Sequence, residues 1–334
     1  MRVFVTGGLG YIGSHTVVAL LAAGHEVIIF DNLSNATEKV LDRIEKISGV
    51  RPDFFLGDIR DTELLRNIFS TKKIDGVIHF AALKAVAESF EKRDEYFDVN
   101  VGGTKNICAV MEEFGVHCLV YSSSATVYAP ATEPIPETAP LAPSNPYGET
   151  KLACEQFLQG LTTRGNWSVV LLRYFNPVGA HASGLIGEAP KSPANIAPVI
   201  MEVLRGIREY VQVNGTDYET SDGTCSRDYI HVVDLAQAHV SALAYTTTHG
   251  GVHIYNVGTG RGYSVKEIIA AFAAAAGQEI PIHVGPRRIG DLACVIADPT
   301  KIQNELGWHA EHSLAEMASS AVNWITKNPH GFED

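Results

Sequence analysis

The chain has 334 residues, 46% of them hydrophobic and 19% charged, and a formal net charge of -12. This length and composition predict a globular protein with a full apolar core, built as one large domain or two interlocked ones. The negative charge, with no basic cluster, argues against a nucleic-acid partner. The longest apolar stretch falls short of the roughly 18 unbroken residues of a membrane helix. The sequence opens directly on a strand, which leaves no room for a secretory leader, so we expect a cytoplasmic protein without a membrane partner.

The periodicity of the apolar residues alternates between short strand-like runs and longer amphipathic ones. Strands are predicted at 2–6, 26–31, 53–58, 75–81, 118–124 and 168–176. Helices are predicted near 12–23, 36–48, 61–70, 102–114 and 147–163. Near-continuous apolar strands separated by helices predict an α/β fold with a doubly wound parallel sheet, of the Rossmann type.

In the second half of the chain, strand-like and helix-like runs alternate less regularly. Glycine and proline become frequent after residue 177, and the later elements are short. We expect residues 1–176 to form the sheet domain and residues 177–334 a smaller α/β region, partly interleaved with the first. That region would cover the carboxyl edge of the sheet, where such folds bind their ligands.

The cysteines give no sign of a metal site or a disulfide framework. They are odd in number and widely spaced, without a C-x-x-C pair or a Cys/His pattern of zinc spacing. We expect reduced thiols, mostly buried, and no bound metal. The five are Cys108, Cys118, Cys154, Cys225 and Cys294.

A glycine-rich loop, TGGLGYIG, is the first chemical signal. Gly7, Gly10 and Gly13 have the spacing G-x-x-G-x-x-G between the first strand and the first helix. Such glycines permit a tight turn, close approach of a pyrophosphate to the helix N-terminus, and close packing of helix on strand. Asp31 ends the second strand, where a carboxylate accepts hydrogen bonds from an adenosine ribose and repels a 2'-phosphate. The pattern predicts an NAD site, and Asp58, at the end of the third strand, is a candidate adenine neighbour.

The segment YGETK places Tyr147 four residues before Lys151, on one face of a predicted helix. By itself this spacing also fits two unrelated side chains on a surface helix. A nearby ammonium and a positively charged nicotinamide would lower the tyrosine pKa from about 10 and favour the phenolate. Tyr147 would then accept a proton from a sugar or alcohol hydroxyl. The strand end SSSATVY, which begins at Ser122, offers a hydroxyl to relay that proton.

Five segments together carry a resemblance to a known family. They are TGGLGYIG, SSSATVY, YGETK, RYFNPVGAH and RDYIHVVDLA, in that order along the chain. Their combination resembles the extended short-chain dehydrogenase/reductase family, and within it the UDP-hexose 4-epimerases. The similarity covers nearly the whole chain, ending with NELGWHAE at residues 304–311.

The resemblance implies a role for individual residues. It implies Tyr147 as the catalytic base, Lys151 as the residue that lowers its pKa and binds the nicotinamide ribose, and Ser124 as the relaying hydroxyl. The positions implied to hold NAD are Gly7, Gly10, Tyr11, Ile12, Gly13, Asp31, Asn32, Leu33, Ser34, Asn35, Ala36, Asp58, Ile59, Phe80, Ala81, Ala82, Leu83, Lys84, Asn100, Tyr147, Lys151 and Phe175. Those implied to hold the UDP-sugar are Ser124, Ala125, Thr126, Tyr147, Asn176, Asn195, Ile196, Arg227, Arg288, Asp291 and Val295.

The arginines also have a physical argument, because an acidic protein must neutralise a diphosphate locally and guanidinium groups suit phosphate oxygens. Arg287 competes with Arg288 for this role. The implied reaction oxidises the sugar at C4, turns the 4-keto sugar over and reduces it on its other face, which interconverts UDP-galactose and UDP-glucose. Relatives of this kind are usually homodimers packed through two helices each, and residues 102–114 and 147–163 are the candidates.

The sequence departs from the family pattern at three places. Ala129 stands where a glycine is usual, and the loop 129–146 is about two residues shorter than in some relatives. Val295, four residues after the aspartate of the R-x-G-D segment at 288–291, is small where enzymes restricted to UDP-glucose and UDP-galactose often have tyrosine. We therefore expect tolerance of UDP-N-acetylglucosamine, with a plain core role for Val295 as the alternative.

Three other functions fit parts of the sequence. A sugar-nucleotide 4,6-dehydratase would need an acid and a base, normally Asp-Glu, after the serines of the fifth strand, where this chain has Ala125 and Thr126. A net dehydrogenase or reductase would consume free NAD(P)H stoichiometrically. A dinucleotide-sensing binding module would have no need of Ser124, Tyr147 and Lys151.

Overall fold

A seven-stranded parallel sheet forms the centre of the protein in the computed structural model, which describes residues 1–131, 134–163, 165–288 and 291–333. The strands of the described residues are β1 (Arg2–Thr6), β2 (Glu26–Asp31), β3 (Asp53–Leu56), β4 (Gly76–His79), β5 (Cys118–Ser124), β6 (Ser168–Tyr174), β7 (Asn176–Val178), β8 (Val211–Asn214), β9 (Ser226–His231), β10 (Gly251–Val257), β11 (Gly262–Ser264), β12 (Ile282–Gly285) and β13 (Cys294–Val295). The order across the large sheet is β10-β6-β5-β4-β1-β2-β3. This confirms the predicted doubly wound α/β fold, and all six predicted strands are present.

Helices cover both faces of this sheet. The α-helices of the described residues are α1 (Tyr11–Ala22), α2 (Lys39–Ser48), α3 (Thr62–Thr71), α4 (Val86–Glu91), α5 (Arg93–Tyr96), α6 (Gly103–Glu113), α7 (Pro146–Thr162), α8 (Ile196–Leu204), α9 (Val232–Thr246), α10 (Val265–Ala276), α11 (Thr300–Leu306) and α12 (Leu314–Lys327). A π-helical segment, Phe97–Gly102, runs directly into α6. The five predicted helices are confirmed, whereas α4, α5 and the π-helical segment were not predicted because they are short and lack a clear period.

The core is divided by the sheet into two apolar clusters. Val3 and Val5 of β1 belong to one cluster and Phe4 to the other, because successive residues of a strand point to opposite faces. The first cluster includes side chains of α1, α2 and α9, and the second includes side chains of α3, α6 and α7. Both faces of the sheet are therefore covered by apolar side chains, which explains why the strand sequences are almost continuously apolar.

The part of the chain after residue 176 supplies both new elements and a piece of the large sheet. Strand β10 pairs with β6 in parallel, so the seventh strand comes from beyond that residue. Strand β9 pairs with β7, β11 and β13, β12 pairs with β8, and α8, α10 and α12 pack on a third apolar cluster. The division into 1–176 and 177–334 stays a prediction. Among the described residues, no helix has the length and apolarity of a membrane span.

Candidate active site

The glycine loop lies between β1 and α1 and depends on the absence of side chains. Gly7 has a φ of 68°, and its N–H donates to the carbonyl of Phe30 at 2.7 Å. A Cβ at Gly13 would lie 2.2 Å from the Gly7 carbonyl oxygen, so only glycine lets the helix pack this closely. Helix α1 begins after Gly10 with no side-chain cap, which leaves its first N–H groups available to an anion.

Asp31 supports this loop from the end of β2. Its two carboxylate oxygens accept the backbone N–H groups of Leu9 at 3.1 Å and Leu33 at 2.9 Å. Burial raises the pKa of Asp31, while the two hydrogen bonds act in the opposite direction. Leu33 takes a left-handed φ of 59° to make its contact. A cavity of about 510 Å³ opens at the N-terminus of α1, lined there by Leu9, Gly10, Tyr11, Asn35, Ala36 and Lys84.

Asp58 lies beside Asn32 at the same edge of the sheet. The amide of Asn32 donates to its carboxylate at 3.1 Å, and the guanidinium of Arg60 makes hydrogen bonds of 2.9 Å to both oxygens. The side-chain hydrogen bonds from Arg60 lower the pKa of Asp58 to about 2. The carboxylate is therefore ionised and fixed in place, and its neighbour Ile59 is buried.

Asn100 connects the segment after β4 to the helix of the candidate base. Its side-chain oxygen accepts the N–H of Leu83 at 2.8 Å, and its amide nitrogen donates to the Leu83 carbonyl and to the Thr150 hydroxyl, both at 3.0 Å. The amide is buried and fully engaged within the protein. Asn100 therefore fixes the loop Phe80 to Lys84 against α7, and its contact with NAD stays a prediction.

Tyr147 and Lys151 lie one turn apart on α7, which begins at Asn145 with Pro146 in its first turn. The ammonium of Lys151 lies 5.8 Å from the centre of the Tyr147 ring and donates to the carbonyl of Ser122 at 2.7 Å. Burial lowers the pKa of Lys151 to about 8.

The pKa of Tyr147 differs from the sequence-based expectation. Burial raises it to about 12, and a hydrogen bond with Ser124 acts in the opposite direction. The expected lowering of the Tyr147 pKa is not found in the chain without a cofactor, because the Lys151 ammonium is directed at the Ser122 carbonyl and not at the phenol. A lowered pKa would therefore depend on the positive charge of an oxidised nicotinamide.

The three serines at the end of β5 have three different partners. The hydroxyl of Ser122 is bonded to that of Tyr174, and the hydroxyl of Ser123 donates to Glu155 at 2.5 Å. Ser124 accepts from the backbone N–H and hydroxyl of Thr126, and its interaction with the Tyr147 phenol lowers the pKa of that group. Of the triplet, Ser124 is thus the residue in place to pass a proton to or from Tyr147.

A second group of predicted residues comes together on β9 and β13. Arg227 is the register partner of Val295, and its guanidinium lies 3.5 Å from the carboxylate of Asp291. The same guanidinium donates to the carbonyls of Ser226 at 2.8 Å and Leu292 at 2.9 Å. Arg227 and Asp291, which are 64 positions apart in sequence, therefore form a charged pair with Val295 beside it.

The structure distinguishes the two neighbouring arginines. Arg287 donates to Asp217 at 2.7 Å, and its guanidinium lies 4.2 Å above the ring of Tyr218. The side chain of Arg288 is exposed, and its guanidinium has no hydrogen bond or ion pair with any residue that the structure describes. Arg288 is therefore the one available to a ligand. The two central residues of the R-x-G-D segment, and positions 132 and 133 of the loop 129–146, lie outside the described residues.

The remaining predicted substrate residues lie at the ends of strands and helices. Asn195 precedes α8 without using its side chain as a cap, and Ile196 is the first residue of that helix. Asn176 begins β7, directly after Phe175, which is buried. Ala125 and Thr126 form a short 3-10 turn after Ser124.

The sequence profile of the NAD dependent epimerase/dehydratase family matches residues 3–258. The chain belongs to this family. This epimerase/dehydratase-family chain is 48% identical over 336 residues to the UDP-glucose 4-epimerase of Bacillus subtilis, covering 100% of this chain and 99% of that protein.

Two solved structures show the same similarity in three dimensions. The UDP-glucose 4-epimerase of Bifidobacterium longum, in complex with NAD+ and UDP, is 49% identical with a TM-score of 0.95, over 99% of this chain and 100% of that one. The enzyme from Stenotrophomonas maltophila, with bound NAD and formylated UDP-arabinopyranose, is 46% identical with a TM-score of 0.96, over 98% of each chain.

Two buried contacts near the candidate site were not predicted from the sequence. One involves Glu155, which accepts from Ser123 and follows Lys151 by four residues, a spacing that could have drawn attention to it. The other is a buried pair at the ends of β1 and β4, in which the Thr6 hydroxyl lies 2.6 Å from His79 and accepts the N–H of Ala81 at 3.2 Å. No sequence signal indicates this second pair.

The geometry of the glycine loop predicts the effect of a single methyl group. Gly13→Ala should displace the loop and abolish retention of NAD, measured as nucleotide released from purified protein, because the new Cβ would overlap the Gly7 carbonyl oxygen. Gly160→Ala is the matched control: it lies in α7 with no atom within 4 Å of the added Cβ, and should stabilise the helix by roughly 0.5–1 kcal/mol. Full NAD content in Gly13→Ala would contradict this reading of the loop.

Proposed function

We propose that the protein is a UDP-glucose 4-epimerase, an isomerase that interconverts UDP-galactose and UDP-glucose through a transient 4-keto sugar with tightly bound NAD. The observation that carries the proposal is the placement of Tyr147 and Lys151 one turn apart on α7, with the Lys151 ammonium 5.8 Å from the centre of the Tyr147 ring and Ser124 among the groups that act on the phenol. The enzymes of known structure named above support it by their similarity over the full chain.

The residues around the glycine loop fit NAD. The uncapped N-terminus of α1, with no acidic residue in its first turn, suits a diphosphate, and it opens on a cavity of about 510 Å³. Asp31 at the end of β2 suits an adenosine ribose and disfavours a 2'-phosphate. When bound, NAD supplies a reversible hydride acceptor for C4 of the sugar.

Tyr147 removes the proton of the sugar 4-hydroxyl and returns it in the second half of the cycle. Ser124, whose hydroxyl acts on the Tyr147 phenol, passes the proton between the phenol and the sugar. Lys151 places a positive charge 5.8 Å from the centre of the phenol ring, and this charge would favour the phenolate form of Tyr147 together with that of an oxidised nicotinamide. Both side chains stand on α7, so the distance between them is fixed by the helix.

The second half of the chain anchors the UDP while the sugar turns over. Arg227 and Arg288 supply positive charge for the diphosphate, and Asp291 beside Arg227 offers a carboxylate for ribose hydroxyls. Asn176 and Asn195 would orient the sugar from the ends of β7 and α8. Firm anchoring at one end is what allows rotation at the other without release of the 4-keto sugar.

The site favours return of the hydride over elimination of water. A dehydratase needs an acid and a base after the hydroxyl of β5, and Ala125 and Thr126 occupy the 3-10 turn there. The Thr126 hydroxyl is bonded to Ser124 and has no useful acidity. The intact Ser124, Tyr147 and Lys151 likewise favour an enzyme over a dinucleotide-sensing module.

The proposed base has a direct test. Tyr147→Phe should retain bound NAD and the fold but lose turnover of UDP-galactose by roughly 100- to 10,000-fold, because the phenyl ring cannot take the proton. Turnover would be followed as formation of UDP-glucose, with NAD content and melting temperature measured on the same sample. Near-normal turnover would rule out Tyr147 as the base.

The two neighbouring arginines provide a matched pair for the diphosphate. Arg288→Ala should weaken UDP binding by about 2 kcal/mol, or ~30-fold, because it removes a charge-assisted contact. Arg287→Ala should weaken binding much less, since that guanidinium is engaged with Asp217 and Tyr218. Calorimetric titration with UDP distinguishes the two, and a larger loss from Arg287→Ala would reverse the assignment.

Substrate range is tied to Val295. It is half-buried beside Arg227 and packs against the apolar cluster that contains Phe175, so it leaves more room than a tyrosine would. The protein should epimerise UDP-N-acetylglucosamine as well as UDP-glucose. Val295→Tyr should lower the kcat/KM for UDP-N-acetylglucosamine relative to that for UDP-glucose by roughly tenfold or more. No detectable turnover of the acetylated sugar by the wild type would contradict this part of the proposal.

We further propose a cytoplasmic homodimer packed through α6 and α7. The reduced state of the five cysteines supports the compartment, because such thiols are typical of a reducing environment. The adjacent outer residues of the two helices support the interface, with the ammonium of Lys105 5.8 Å from the ring of Phe157. Sedimentation of the wild-type protein measures its assembly directly.

A further inference from the structure

Helix α7 presents a third residue in line with the candidate base and its lysine. Tyr147, Lys151 and Glu155 are spaced by four and share one face of the helix. Each acts on a different residue of the serine triplet of β5: Tyr147 interacts with Ser124, Lys151 donates to the carbonyl of Ser122, and Glu155 accepts the hydroxyl of Ser123 at 2.5 Å. The third contact has no part in the proton transfer described above.

Glu155 cannot turn towards Lys151 because Arg173 holds it from the next strand. The guanidinium makes two hydrogen bonds to the carboxylate, at 2.8 and 2.5 Å, and both side chains are buried, with 1% and 0% exposure. Arg173 is the register partner of Ser123 and also donates to the hydroxyl of Tyr128 at 2.9 Å. Burial of two charges is costly, and the bidentate contact with its added hydrogen bonds offsets that cost.

The groups around Lys151 leave Glu155 as the carboxylate that acts on it. The titratable and charged groups facing this site are His79 of β4, Tyr121 of β5, Arg173 and Tyr174 of β6, and Tyr147, Cys154 and Glu155 of α7. Burial lowers the pKa of His79 to about 3 and raises the pKa values of the three tyrosines and of Cys154, so all five are neutral near pH 7. Among the described residues, Cys154 and Glu155 are the two groups that raise the pKa of Lys151. Because Cys154 is a neutral thiol, Glu155 is the one that carries a fixed negative charge.

We propose that Glu155, held by Arg173, is a positioning residue that keeps the positive charge on Lys151 next to Tyr147. This role rests on the proposed epimerase function. Burial alone drives the ammonium towards its neutral form, and a fixed carboxylate one helical turn away opposes that tendency. Because Arg173 occupies both carboxylate oxygens, Glu155 acts through its charge without pulling the ammonium out of the site.

Removal of the charge alone tests the proposal. Glu155→Gln keeps the size of the side chain and an acceptor for Ser123 but removes the negative charge. The pKa of Lys151 should fall by roughly one pH unit, measured by NMR titration of holoenzyme carrying ¹³C-labelled lysine, with the signal assigned by its loss in Lys151→Met. The alkaline limb of kcat/KM should move to lower pH by the same amount, because activity is lost as Lys151 loses its proton.

Two variants separate charge from packing. Ser123→Ala and Arg173→Lys disturb the same buried network but keep both charges, so each should lower the melting temperature and leave the pKa of Lys151 unchanged. If Glu155→Gln does not fold, the double variant Glu155→Gln/Arg173→Met replaces it and should shift the pKa in the same direction. An unchanged pKa in the charge-removing variant, or an equal shift in Ser123→Ala, would overturn the proposal.

The NMR readout does not depend on turnover. If the wild type fails to convert UDP-galactose, the proposed function fails while the effect of Glu155 on Lys151 is still measured. If conversion is normal and Glu155→Gln leaves the Lys151 pKa unchanged, the proposed function stands and this inference fails.

Discussion

The contact between α7 and the end of β5 is the interaction on which the rest of the site depends. Three residues of one helical face each meet one serine of the strand, so the helix cannot slide or rotate without breaking all three contacts. Helical spacing fixes the distance between Tyr147 and Lys151, and the strand fixes their position relative to the glycine loop on β1. The sheet, with its two dry faces, provides the rigid support.

Burial makes both side chains of the candidate catalytic pair, Tyr147 and Lys151, harder to ionise. It raises the pKa of Tyr147 and lowers that of Lys151, so each change favours the neutral side chain and opposes the phenolate–ammonium pair that a base requires. A fixed anion near the lysine and a cationic ligand near the tyrosine counteract this. The protein supplies the first through Glu155, which explains why so costly a buried ion pair stands in the core.

The charged groups proposed to hold UDP differ from this buried pair, because Arg227 and Asp291 are only partly buried and Arg288 is exposed. Arg227 is fixed by two backbone carbonyls, whereas Arg288 has its donors unengaged among the described residues. Arg227 is thus held in position before a ligand binds, whereas Arg288 can adjust its position to the ligand. This arrangement suits a ligand that is held at its diphosphate while the sugar moves.

The sequence by itself determined the strands and helices of the sheet, the glycine loop, and the pairing of Tyr147 with Lys151, because each of these follows from local spacing and period. It also indicated the family, since several segments matched at once. Only the tertiary structure decided which partners Ser122 and Ser123 have, that Arg287 is engaged while Arg288 is not, and that Glu155 is held by Arg173. These are contacts between residues far apart in the chain, and their geometry depends on how the strands and helices pack, which no local pattern encodes.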